Sequence, residues 1–206
     1  MMIGDWLLFS EFWATDASTL YDSYVDRLSL VDRNRAIVGG LLGPVGAMLI
    51  IKSFISLFYQ MNEKPRAFAV ATVICFVVMM ICNGFYHASF LFYNPELMNW
   101  LNSATAEGFN QGELYKAIYD LGTFAYNIGK VGFLFFAVWL VVKSNLRRSS
   151  IVLLLIPTVL FFVQYLVVHI PAPVGGVIAG VYSNLVLFLF FLLLVIAYPA
   201  NHSTKS

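Results

Sequence analysis

Charge is what this sequence has least of. Only 11% of its 206 residues are Asp, Glu, Lys or Arg, whereas a soluble globular domain carries about 25%. Twelve basic and eleven acidic residues leave a formal charge of +1. There is thus no basic surface for nucleic acid and no acidic tail for a basic partner. Cysteine is nearly absent too: Cys75 and Cys82 stand seven residues apart in an apolar run, about 10 Å by helical rise and too far for a disulfide. No Cys-x-x-Cys pair, His-Glu-x-x-His or phosphate-cradling glycine loop occurs, which excludes the familiar thiol relays, zinc proteases and nucleotide hydrolases. Neither a metal nor a cofactor is implied. Met1 to Ala14 lacks a basic leader and carries Asp5 and Glu11, so it reads as part of the fold rather than as a cleavable signal.

What the chain has in abundance is apolar length. Hydrophobic residues make up 60% of it, with a mean hydropathy of +0.80, and a membrane span needs roughly 20 of them in a row. Five stretches qualify: Ile37 to Gln60, Ala67 to Tyr93, Ala117 to Val142, Ser150 to His169 and Gly176 to Ala197. A sixth, Met1 to Ala14, reaches about 21 Å as a helix. It begins mid-membrane, extends into the polar stretch after it, or lies at the interface. The fold class expected is therefore all-α and integral to a membrane, a single bundle of five or six spans filling residues 1–206. Both long outer connections mix apolar and polar residues at helical spacing, as in Leu97, Trp100 and Leu101, and predict interfacial helices.

The connections also sort by charge. Lys64, Arg66, Lys143, Arg147, Arg148 and Lys205 fall on one side if the spans alternate, against Lys116 alone in the comparable loops of the other. That bias predicts a cytoplasmic C-terminus. Arg27, Arg33 and Arg35 on the outer side oppose it, with four aspartates beside them. Gly39 with Gly43, and Gly176 with Gly180, place small residues four apart. Such pairs let helix backbones approach closely, either within the bundle or between copies in a homo-oligomer. Pro44 and Pro157 lie inside spans and predict local kinks.

Polar residues at membrane depth cost on the order of 3 kcal/mol each if ionisable, so each calls for a partner or a purpose. Asn83 and His87 are four apart on one helix face, with Tyr86 beside them. His87 is a candidate proton donor or acceptor near neutral pH, and equally a histidine that bonds a neighbouring helix for packing. Asp120, Thr123, Asn127 and Lys130 follow steps of three, four and three and form one stripe. A stripe of this kind is expected to face the bundle interior, lining a wet cavity with Asp120 and Lys130 about 15 Å apart. Structural ion pairs with Glu11 or Asp5 are the alternative. Lys52 is close enough to its span end to snorkel in part. Asp5 is a candidate buried partner of Lys52 or Lys130. Asn184 continues the Gly176 and Gly180 face, which favours an interhelical hydrogen bond.

Gly4-Asp5-Trp6-Leu7-Leu8, Gly40 with Gly43-Pro44, Gly84 with His87, and Pro173 with Gly175-Gly176, Gly180 and Asn184 occur in an order that resembles an uncharacterised bacterial family of polytopic membrane proteins. The resemblance spans nearly the whole chain. It implies a single six-helix domain in a bacterial inner membrane, with Asp5 and His87 as marked positions, and it brings no reaction with it.

Together these readings predict an outward-opening polar cavity for a lipid or isoprenoid-like amphiphile. His87 and Asp120 are its candidate catalytic pair, and Asp5, Asn83, Tyr86, Asn127 and Lys130 its candidate ligand-binding residues. Two other readings stand beside it. One is a small proton-coupled transporter with Lys130 as the coupling charge, although no inverted repeat is visible. The other is a structural or partner-binding membrane subunit whose stripe fixes helix register.

Overall fold

The structure, a computed structural model, describes residues 33–61, 66–93, 95–104, 111–143, 146–167 and 174–197. The Met1 to Ala14 segment with Asp5 and Glu11, and His169, lie outside the described residues, as does the packing of Gly176 and Gly180. Within them the chain forms α1 (Arg33–Gln60), α2 (Arg66–Ser89), a 3-10 turn (Phe90–Tyr93), α3 (Pro95–Ala104), α4 (Gln111–Lys143), α5 (Arg148–Phe162), α6 (Gln164–Val167) and α7 (Val174–Ala197). No strand occurs among the described residues. Three helices, α1, α2 and α4, are long and apolar enough to cross a membrane. Of the two connections expected to hold interfacial helices, the second contains a helix, α3, with Trp100 exposed.

Small residues set the register of the central helices. On α1, Gly43 lies against His87, Gly40 against Leu91 and Ala47 against Gly84 of the following hairpin arm. On α4, Gly122 lies against Tyr86, Gly129 against Met79 and Gly132 against Phe76 and Cys75. The residue number falls along one helix as it rises along the next, so α1, α2 and α4 run antiparallel with α2 in the middle. Where acyl chains are as apolar as the helix surface, burial alone gives little drive for association, and close backbone approach with van der Waals packing takes over.

Aromatic rings then lock the centre. Phe76 stacks on Phe54 at 4.5 Å and meets Phe133 edge-on at 5.0 Å. Phe190 of α7 meets Phe133 at 5.4 Å and Phe136 at 5.0 Å, both edge-on. Four helices thus converge on rings that are wholly buried. Edge-to-face pairs of this kind contribute about 0.5–1.5 kcal/mol each beyond area burial.

The stretch from Ser150 to His169, expected as one span, is divided. α5 ends at Phe162, Val163 turns with φ −89° and ψ 7°, and α6 begins at Gln164. A helix end leaves its last carbonyls without intrahelical donors, and here two of them are met from other helices. The Val163 amide donates to Val159 O at 3.1 Å, the Tyr182 hydroxyl donates to Leu160 O at 3.0 Å, and the Tyr126 hydroxyl donates to Phe161 O at 2.8 Å. Ser183 of α7 donates to the Gln164 side chain at 3.0 Å. Nothing in the local sequence marks this break, because the residues that stabilise it come from α4 and α7.

Candidate functional site

The polar residues of α2 point into the bundle. His87 is 1% exposed and fits against Gly43, where an added methyl would collide with the imidazole and its Cβ. Its ring meets Tyr86 edge-on at 5.8 Å and Phe90 at 6.1 Å. Tyr86, one step around the helix, presents its ring to α4, and its Cε2 would be 2.8 Å from a Cβ at Gly122. Asn83, half-buried, falls between these two directions by helical position. The Ser89 hydroxyl donates back to Tyr86 O at 2.5 Å, across the end of α2. His87 and Tyr86 therefore fill the seams between α2 and its two neighbours.

The polar stripe of α4 points the other way. Asp120, Thr123 and Asn127 are exposed, not turned inward as the cost of polar groups in hydrocarbon suggested. The reason lies in the glycines. Gly122 and Gly129 take the face against α2, and Asp120 and Asn127 each precede one of them by two residues, about 200° around the helix. The closest helix approach belongs to the small residues, so the stripe is left on the outer side. Among the seven expected site residues, the structure brings His87, Tyr86 and Asn83 together and sets Asp120 and Asn127 on a different surface. Asp5 lies outside the described residues.

Lys130 stands at the edge of that surface, half-buried, with Nζ 4.2 Å from the centroid of the Tyr126 ring. The ring is itself fixed by the hydroxyl bond to Phe161 O. An ammonium over an aromatic face is held by the ring quadrupole, so Lys130 has a defined seat at its depth. Tyr126 as the support of Lys130 was not foreseen. The four-residue step between Tyr126 and Lys130 is the signal that carried it.

Below the stripe the same outer side of α4 turns apolar, with Leu134, Val138 and Val141 exposed. On α1, Lys52 is exposed as well. Asn184 of α7 is buried, at 6% exposure. Cys75 and Cys82 are free thiols. Among the described residues no three His, Cys, Asp or Glu side chains converge as a metal site would require.

Neither the curated proteins nor the solved structures gave a match to this chain. A protein family does: over residues 1–201 the chain matches DUF6796, a family of unknown function, and it belongs to that family.

Proposed function

We propose that this protein is an integral membrane protein that binds a lipid or isoprenoid-like amphiphile along the outer side of α4. The observation that supports this is the division of one helix face. Asp120, Thr123 and Asn127 are exposed on its first half, with Phe124 beside them, and Val131, Leu134, Val138 and Val141 on its second. A bare polar stripe facing acyl chains is costly, and an amphiphile with a hydrogen-bonding head and an apolar tail matches both halves at once. The head meets Asp120, Thr123 and Asn127, while Lys130, seated on Tyr126, pairs with an acidic group carried by the ligand.

On this reading the polar half of α4 lies in the outer leaflet and the C-terminus is cytoplasmic, following the excess of basic residues on that side. Binding, rather than acid/base turnover, is the activity the geometry favours, because Asp120 and His87 are directed to different faces. A second copy is a poorer occupant. In a parallel two-fold pair each Asp120 would sit at the depth of the other, like charge against like.

The test is photolabelling of the full chain in phosphatidylcholine nanodiscs with a photoreactive polyprenyl phosphate and, separately, a photoreactive lysophosphatidylcholine. Adducts are expected on α4 between residues 120 and 141. They should fall about fivefold in Asn127→Leu and Lys130→Met, as the loss of ~1 kcal/mol would give. Adducts no denser there than on Phe188, Leu192 and Val195, exposed on α7, would overturn the proposal.

A further inference from the structure

A further charge lies on the outer side of the bundle, and neither the packing nor the α4 surface accounts for it. α1 packs through Gly43, Ala47, Phe54 and Leu57. Lys52 is two residues from Phe54, about 200° around the helix, and it is exposed. Ser56 and Tyr59 follow at four and seven residues and are exposed too, so the three share one narrow outer strip. Met48 at 70% and Leu49 at 66% exposure flank them. This is an apolar surface with one ammonium in it.

Lys52 is eight residues from the end of α1 at Gln60, about 12 Å by helical rise. Its stem spans roughly half of that, and the Cα–Cβ bond tilts toward the opposite end of the helix. Snorkelling alone therefore leaves the ammonium short of bulk water. The headgroup layer is the nearest source of a counter-charge. Among the described residues that end of the bundle carries Arg66, Lys143, Arg147 and Arg148 and no acidic residue. A phosphate of an anionic lipid supplies the missing sign and is drawn to this side by the other basic groups.

We propose that the outer strip of α1 formed by Lys52, Ser56 and Tyr59 is a binding seat for an anionic phospholipid in the leaflet at the α1–α2 connection. Lys52 pairs with the phosphate. Ser56, whose hydroxyl donates to Lys52 O at 3.2 Å, is a small side chain beside it on the strip. Tyr59, 72% exposed, stands one residue before the helix end, where an amphipathic ring sits at headgroup depth and its hydroxyl reaches a phosphate or glycerol oxygen. This seat is on another helix from the α4 surface, and it stands independently of that reading.

The experiment is native mass spectrometry of the full chain released from detergent, titrated with phosphatidylglycerol and with phosphatidylcholine. The wild type is expected to retain phosphatidylglycerol preferentially. Lys52→Met should lower that preference about fivefold, the effect of a single lysine at an anionic surface, and Lys52→Arg should keep it. Far-ultraviolet circular dichroism confirms that each variant is folded. An unchanged preference in a folded Lys52→Met variant would overturn the proposal. So would a shift in oligomeric state with lipid preference intact, which would make the strip a contact between copies.

Discussion

His87 and Gly43 occupy a single point of the crossing between α1 and α2, the imidazole seated where a side chain on residue 43 would have to be. The histidine that most invites a chemical role is therefore also the residue that sets how closely two helices approach. Buried at 1% exposure and bracketed by Tyr86 and Phe90, it cannot be altered without altering that approach.

Gly43→Ala should destabilise the protein by about 1–3 kcal/mol through overpacking. His87→Ala in the same chain should recover part of that loss, because the added methyl then has room. Unfolding midpoints in a mild detergent for the two single variants and the double variant give the coupling directly. Additive effects would show that the two residues do not share the contact.

Tyr126→Phe keeps the ring beneath Lys130 and removes the donor to Phe161 O, a bond of 2.8 Å. The expected cost is ~1 kcal/mol, localised to the end of α5. Hydrogen exchange of the amides around Val163 should accelerate, and Tyr182→Phe should act in the same place through Leu160 O. If exchange there is unchanged in both variants, water or another donor already serves those carbonyls.

Asp120→Asn and Asn127→Ala should leave stability within about 0.5 kcal/mol of the parent, since both side chains are exposed. His87→Ala, by contrast, leaves a cavity at a fully packed crossing, and a loss of about 2 kcal/mol is expected. Thermal unfolding of the three variants in one detergent separates the two kinds of position. Equal losses would mean that the stripe is covered by something that holds the fold.

Arg148 at the start of α5 and Trp100 on α3 are both exposed and belong to opposite ends of the bundle. In a Cys75→Ala, Cys82→Ala background, Arg148→Cys and Trp100→Cys should react with a membrane-impermeant maleimide from opposite sides of sealed vesicles. Reaction of both from one side would contradict the antiparallel crossing of α4.

Much of the fold is legible in the residues. The apolar runs beginning at Ile37, Ala67 and Ala117 become α1, α2 and α4 with ends shifted by a turn or two, because length and hydropathy alone decide what can cross hydrocarbon. The helix in the second outer connection is equally legible from the spacing of Leu97, Trp100 and Leu101. The break at Val163 is not, since no glycine marks it and Pro157 lies a turn and a half earlier. Tyr126 and Tyr182, the hydroxyls that stabilise it, are distant in sequence. The stripe from Asp120 to Lys130 is visible as a stripe, yet its direction is opposite to the one that solvation cost suggests.

The residues by themselves determined which stretches are helices, which side chains share a face, and that charge is rationed to a few positions. Only the tertiary structure decided which face turns inward. Periodicity fixes angles around one helix axis and carries no information about the neighbour's position. Where the surroundings are as apolar as the interior, hydropathy does not choose between them. Glycines 43, 122 and 129 and the rings around Phe190 made that choice, by allowing the closest approach on one side of each helix and leaving Asp120, Asn127 and Lys52 on the other.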